Sequence, residues 1–355
     1  MSDLRSRDFP ISLGRLPTGP RNSITDVNGV KVGHYTLDEG SIHTGVTVVM
    51  PGADNPFTNK YTAAAYVQNG FGKTCGISQI EELGSLETPI ALTNTLNVGK
   101  VSDALNQYIL AICEAEGTEA RSINPVVGEC NDSRLNDIGK RPIGFREVKA
   151  AINSCDTEFA QGDIGAGRST VCFGFKGGIG SSSRQIELDG TVYTIGILVQ
   201  SNFGATEDFV LNGQPLGRWW IDHRVDEKAR ISECDQGSIM VIVATDLPVN
   251  SRQLGRIIRR AGVGIMRTGA YVGHGSGEVM IGFTTANRVP MNGPMFRNET
   301  VICESELNAP FLAVAEATYE AILNSMIAAK AANSESGEVY ESLAHVLRVY
   351  AERAE

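Results

Sequence analysis

Short runs of β-branched and aliphatic residues, closed by glycine or proline, alternate along the whole chain with stretches in which apolar residues return every three or four positions. A chain patterned this way builds sheet and helix from neighbouring segments, which predicts a mixed α/β architecture. Residues 46–50, within GVTVVMPG, read as a strand ended by Pro51 and Gly52, and 171–175, 191–199, 239–244 and 279–284 read the same way. Helical spacing runs over 101–116, with Leu105, Ile109 and Ile112 on one face, and over 253–266, with Leu254, Ile258 and Ile265 inward. Two further helices are expected at 310–328 and 338–354, the second turning Val339, Leu343, Val346 and Tyr350 to the core. There is no internal repeat, and the one composition shift, 328–337, suffices only to link two helices, so 1–355 is expected to form a single domain.

Charge and thiol content narrow the function. With 31 Lys+Arg against 41 Asp+Glu the net charge is −10, which excludes a phosphate-backbone partner, because that affinity needs clustered cations to displace counterions. The first residues, MSDLRSRDF, lack the apolar core of a secretory signal, and no apolar run reaches the ~18 residues of a membrane span, so a soluble cytoplasmic protein is expected. Seven cysteines, odd in number and never spaced CxxC, fit buried free thiols, and five scattered histidines offer no metal-ligand spacing. Neither a metal nor a cofactor is expected.

Four segments carry candidate chemistry. GDIGAGRS, residues 162–169, has the spacing of a phosphate loop, but Arg168 stands in place of its lysine and a strand-like TVCFGF follows where a helix is required. Tight turns and close backbone approach at its glycines are the favoured reading there. In GECNDSRLND, residues 128–137, Cys130 is flanked by acids that raise a thiol's pKa, whereas Glu129 and Asn131 are able to bind an ammonium, unless the segment is ordinary turn material. In SIMVIVATDLPVNSRQLGRIIRRAG, residues 238–262, Ser251 opens an amphipathic helix. It is either an N-cap or a nucleophile whose developing charge the helix N-terminus stabilises, able to attack the carbonyl of Asn250. Asn-Ser occurs five times in the chain, so the dipeptide alone decides nothing. In YVGHGSGEVMIGFTTANR, residues 271–288, Ser276 and Glu278 fall on one side of an extended segment, either to orient an attacking group or as part of a glycine turn with a solvated glutamate, and His274 reads as a surface histidine.

Taken together, these blocks resemble the L-aminopeptidase/D-amidase-esterases and β-peptidyl aminopeptidases, self-processing hydrolases of the N-terminal-nucleophile type. The resemblance covers almost the whole chain: LPTGPRNSITDVNGVKVGH (16–34), TGVTVVMP (44–51), NGFGKTCGISQIEELGSLETPIALTNTLNVG (69–99), GECNDSRLND, GDIGAGRSTVCFGFKGGIGSSSR (162–184), LVQSNFG (198–204) and the segments around Ser251 and Ser276. It implies a four-layer αββα sandwich, cut once at Asn250-Ser251 into an α chain of 1–250 and a β chain of 251–355 that stay associated. Within that resemblance Ser251 is the nucleophile, Asn202 the oxyanion donor, Ser276 and Glu278 the groups orienting the nucleophile, and Glu129 a carboxylate near the substrate amine. Asn131 stands where some members carry an aromatic residue, a departure that alters the pocket and its second oxyanion donor.

The implied activity is that of a serine aminopeptidase or amidase acting on short peptides, amino-acid amides or esters, of α-L, D or β configuration, through an acyl-Ser251 intermediate. The freed α-amino group, with an ordinary pKa of about 7.7–8.0, serves as the base. The relatives imply a homotetramer of processed protomers. Two rivals stand beside this expectation: an amide hydrolase or acyltransferase acting on a pantetheine-like or acyl-amino-acid substrate, and an unprocessed nucleotide-binding protein using 162–169.

Overall fold

The computed structural model describes residues 4–224 and 228–355 save the last, so the first three residues of the N-terminal stretch discussed above lie outside the described residues. In chain order the strands are β1 (Lys31–Glu39), β2 (Ile42–Met50), β3 (Asn59–Gly70), β4 (Ser85–Leu86), β5 (Ile90–Asn94) and β6 (Val126–Cys130). Then come β7 (Val171–Cys172), β8 (Phe175–Lys176), β9 (Gly178–Leu188), β10 (Thr191–Asn202), β11 (Ser238–Thr245) and β12 (Gly277–Pro290). The helices are α1 (Ile77–Leu83), α2 (Val98–Ala115), α3 (Phe145–Asn153), α4 (Leu216–His223), α5 (Ser251–Ile258), α6 (Ala261–Met266), α7 (Asn308–Ile327) and α8 (Leu343–Ala354).

Two sheets, one of order β1-β2-β5-β6 and one of order β4-β3-β12-β11-β10-β9, face each other across an apolar layer that includes Val32, Val49, Leu92, Leu198, Ile242 and Ile281. Alternate residues of the same strands point outward. Val46, Val48 and Ala91 pack on Val101 and Leu105 of α2 and Val148 of α3, while Ile197, Val241 and Val243 pack with Leu254 and Ile257 of α5 and Ile322 of α7. The order helix, sheet, sheet, helix is the expected four-layer αββα sandwich. It explains why SIMVIVAT is apolar without alternation: every residue of β11 is buried, on one face or the other.

The glycines of 174–180 are required by that packing. A Cβ on Gly180 would stand 1.9 Å from the Ala321 carbonyl oxygen of α7, and Phe173 and Gly174 turn the chain through positive φ (53° and 77°). The span expected as one strand over 171–175 is therefore a hairpin of β7 and β8. The helix expected over 253–266 is broken between α5 and α6, the latter carrying Gly262 and Gly264. Gly264 lets α6 approach the α7 backbone, where a Cβ would come within 2.7 Å of the Ala315 carbonyl oxygen. The last helix starts at Leu343, five residues later than its spacing suggested, because Val339–Tyr340 pairs with Ala332–Asn333 as a short ladder.

Candidate active site

A cavity of about 640 Å³ opens where three strands of the larger sheet come level: Asn202 of β10 lies opposite Ser238 of β11, which lies opposite Gly277 of β12. Its walls include Phe71, Lys73, Thr95, Glu129, Asn202 and Ser238. Ser238 is the first residue of β11, and only 6% of its surface is exposed. The residue before it has to be glycine, since a Cβ on Gly237 would meet the Asn202 carbonyl oxygen at 1.8 Å. The Gly237 carbonyl accepts a hydrogen bond from the Gly277 N–H at 2.8 Å. Gly277 in turn carries no side chain to crowd the Ser238 hydroxyl, which lies 3.3 Å from where its Cβ would be. Just upstream, the buried Asp235 carboxylate accepts the Gly204 N–H at 2.8 Å and the Gly273 N–H at 2.9 Å, tying the segment that leads into Ser238 to both neighbouring loops.

Asn202 Oδ1 accepts from the Val171 N–H at 2.9 Å, which fixes the amide and leaves Nδ2 as its donor. Glu129, at the end of β6, is buried with one oxygen accepting the Lys73 N–H at 2.9 Å and the other accepting the Thr95 hydroxyl. Asn131 is exposed on the rim, its Oδ1 taken by the Ser133 N–H. Ser276 and Glu278 flank Gly277 and are buried behind the cavity wall, where the Ser276 hydroxyl donates to Glu278 Oε1. Glu278 Oε2 has no partner among the described residues. Burial, opposed by the Ser276 hydrogen bond, pushes the Glu278 carboxyl up to about 7. Five of the residues singled out in the sequence, Glu129, Asn131, Asn202, Ser276 and Glu278, thus gather around Ser238.

Ser251 does not join them. It begins α5 beyond the opposite end of β11, and its Oγ packs where a Gly84 Cβ would stand. Eight residues of strand at ~3.3 Å each place it more than about 20 Å from Ser238. The Asn250-Ser251 bond sits in ordinary capping geometry: Asn250 Oδ1 accepts the Gln253 N–H at 2.9 Å, and the Gln253 side chain accepts the Asn250 N–H at 3.4 Å. The N-cap interpretation therefore holds at this site, with Asn250 rather than Ser251 as the cap. Ser238 and Gly237 were missed. The signal for them was a Gly-Ser pair directly ahead of an unbroken apolar strand, which puts a hydroxyl at the end of a sheet instead of at a helix N-terminus.

The other candidates fall to burial and topology. Cys130 is fully buried, its thiol pushed far up by desolvation, and it donates to the Gln200 and Ser238 carbonyls. In 162–169 the glycines form a short turn, Gly165–Gly167, that leads into β7 and not into a helix, and Arg168 is engaged by Asp38 and Asp163. His274 is exposed beside Phe71, their rings 6.3 Å apart. Among the described residues no cluster of His, Cys, Asp and Glu is arranged to hold a metal, and no helix is long and apolar enough to cross a membrane.

Two stacked sheets between helical layers, with a serine at the head of a central strand, define an N-terminal-nucleophile-type hydrolase. Residues 22–340 match peptidase family S58; the chain belongs to that family and is a peptide hydrolase. It is 34% identical over 348 residues to the β-peptidyl aminopeptidase BapA of Sphingosinicella xenopeptidilytica, covering 92% of this chain and 85% of that protein. Among solved structures it resembles the PH0078 protein from Pyrococcus horikoshii OT3, with TM-score 0.92 and 40% identity over 99% of this chain and 100% of that one. It also resembles the L-aminopeptidase D-Ala-esterase/amidase of Ochrobactrum anthropi, described as a prototype for the serine aminopeptidases and a variant of the Ntn hydrolase fold, with TM-score 0.89 and 32% identity over 98% and 99% of the two chains.

Proposed function

We propose that the protein is a self-processing serine aminopeptidase whose nucleophile is Ser238, released by cleavage of Gly237-Ser238. The observation that carries this reading is the meeting of Ser238 with Asn202, Gly277 and the Ser276/Glu278 pair at one level of the sheet. It replaces Ser251 as the nucleophile and moves the expected boundary, so that 1–237 and 238–355 are the two products of one layered domain. In cleavage, Ser238 Oγ attacks the Gly237 carbonyl carbon, whose oxygen already accepts the Gly277 N–H; the ester forms as the C–N bond breaks, and the amide nitrogen takes up the hydroxyl proton and leaves as the new α-amino group. Water then hydrolyses the ester, giving the Gly237 carboxylate and freeing the hydroxyl.

In turnover the freed amine, with an ordinary pKa of about 7.7–8.0, takes the Ser238 hydroxyl proton, so no histidine is needed. Asn202 Nδ2 donates to the oxyanion, and Glu278 Oε2, lacking a partner among the described residues, is an acceptor available to the new ammonium. Glu129 attracts the free amine of the substrate, with Asn131 at the rim, which favours removal of one N-terminal residue from short peptides, amino-acid amides or esters. The name of the Sphingosinicella relative supports β-amino-acid residues within that range, and the name of the Ochrobactrum protein supports L-amino-acid and D-alanine derivatives. Acyl transfer to an amine, or hydrolysis of pantetheine-like amides, is the second reading and is revealed by a rate that depends on an added acceptor. Assembly of processed chains into a homotetramer and a cytoplasmic location stay part of the proposal.

The test is the intact mass of the denatured protein. Two chains summing to the full mass plus one water, the smaller starting at Ser238, abolished in Ser238→Ala and retained in Ser251→Ala, are expected. Cleavage at Asn250-Ser251, or an uncut chain without turnover of amino-acid amides, refutes the assignment.

A further inference from the structure

Lys176 of β8 is fully buried, and among the described residues no carboxylate pairs with it. Its Nζ donates instead to three backbone carbonyls, those of Gly167 and Thr170 at 3.0 Å and of Gly177 at 2.8 Å. Burying an ammonium away from any carboxylate is costly, and here three backbone carbonyls are what offset it. The Thr170 carbonyl belongs to the same peptide group as the Val171 N–H, and that N–H is the donor to Asn202 Oδ1. The Gly177 N–H donates to the same Thr170 carbonyl at 2.9 Å.

We infer that Lys176 is a positioning residue for the oxyanion donor, acting on Asn202 through the single Thr170-Val171 peptide. The direction of the effect follows from polarisation. Burial brings the Lys176 ammonium down to about 7, but three carbonyl acceptors around Nζ engage all three N–H groups of the charged form. That charge at the Thr170 oxygen draws electrons from the peptide and makes the Val171 N–H a stronger donor; that bond draws electrons from Asn202 Oδ1 and makes Nδ2 a stronger donor to the negative oxygen formed in the transition state. The same bonds lock the 167–171 turn and so the orientation of the Asn202 amide. This inference rests on the assignment of Asn202 above, and deepens it.

The experiment compares wild type, Lys176→Met, Asn202→Ala and the double variant on an amino-acid amide, with rates expressed per processed chain counted by mass. Lys176→Met is expected to lower kcat about tenfold, a part of the ~10²–10³ supplied by a whole oxyanion donor, with KM changed less than about twofold. In the Asn202→Ala background it is expected to cost less than about twofold, because the group it acts through is gone. Lys176→Arg, which keeps the cation, is expected to recover most of the loss. If Lys176→Met yields no folded protein, Lys176→Gln carries the same comparison. An equal loss in both backgrounds, a rise in KM at constant kcat, or a Lys176→Met chain that stays whole while Asn202→Ala cleaves overturns the inference. An Asn202→Ala enzyme of undiminished kcat overturns the oxyanion assignment instead, so the two failures are distinguishable.

Discussion

Glu278 makes the uncleaved chain measurably sensitive to pH. The side chain is 1% exposed, one carboxylate oxygen has no partner among the described residues, and burial raises it from an ordinary 4.5 to about 7. Below about pH 4.5 it is neutral in folded and unfolded chains alike and adds no pH dependence. Between 4.5 and 7 the unfolded chain releases its proton while the folded chain keeps it, so stability falls as pH rises through that window, and above 7 the loss is complete. A shift of this size corresponds to about 3 kcal/mol at ~1.4 kcal/mol per unit. The perturbation is Glu278→Gln, which stays neutral throughout, placed in Ser238→Ala so that the chain remains whole. Urea unfolding of both proteins from pH 4 to 8, followed by the fluorescence of the buried Trp220, should show the glutamine variant gaining about 3 kcal/mol relative to its parent between the two ends. Stability differences that do not vary with pH would refute a neutral buried carboxyl. In the processed wild type the new ammonium is a cation for Oε2, so there the same substitution should gain less and should also slow turnover.

Three further outcomes test the site. Gly237→Ala should block cleavage and destabilise the precursor, since the added methyl meets the Asn202 carbonyl oxygen at 1.8 Å; mass and Tm read both effects. Asn202→Ala should still cleave, because the Gly237 carbonyl is served by the Gly277 N–H, yet lose about 10²–10³ in kcat on amides, read by steady-state kinetics on the processed protein. Glu129→Gln should raise KM for substrates with a free amine, lowering kcat/KM by roughly 10–100-fold, as expected for a charge-assisted hydrogen bond of ~1.5–3 kcal/mol, while leaving the cleavage rate intact.

The layers were legible in the sequence because their cause is local. Residues 239–244 and 191–199 read as strands from their apolar runs, and both appear, extended to Ser238–Thr245 and Thr191–Asn202 by the pairing of β10 with β11. Where spacing misled, tertiary contact was the reason: the approach of Gly264 to α7 allows the break between α5 and α6, and the ladder of Val339–Tyr340 delays α8. The site was legible only in pieces. Glu129, Asn202, Ser276, Glu278 and the choice of Ser251 all came from ordered blocks whose resemblance to a family is specific; the structure brings the first four together and leaves Ser251, whose local surroundings favoured a helix cap, beyond the far end of β11.

What separates Ser238 from Ser251 is long-range register, and register is the reason the proposed nucleophile is Ser238. An acyl-transfer site needs a nucleophile, an oxyanion donor and a charge to hold the attacking group, each fixed to a fraction of an ångström. At Ser238 three adjacent strands deliver these from residues 36 and 39 positions away, Asn202 and Gly277, with Asp235 clamping the loops between them. At Ser251 the available groups are Asn250 and Gln253, both already spent on the helix cap. A helix end supplies potential without converging donors, whereas a strand flanked on both sides supplies the donors themselves; the glycines at 237 and 277 are the sequence trace of that arrangement, because each marks a point where another backbone, or the serine hydroxyl, comes too close for a side chain.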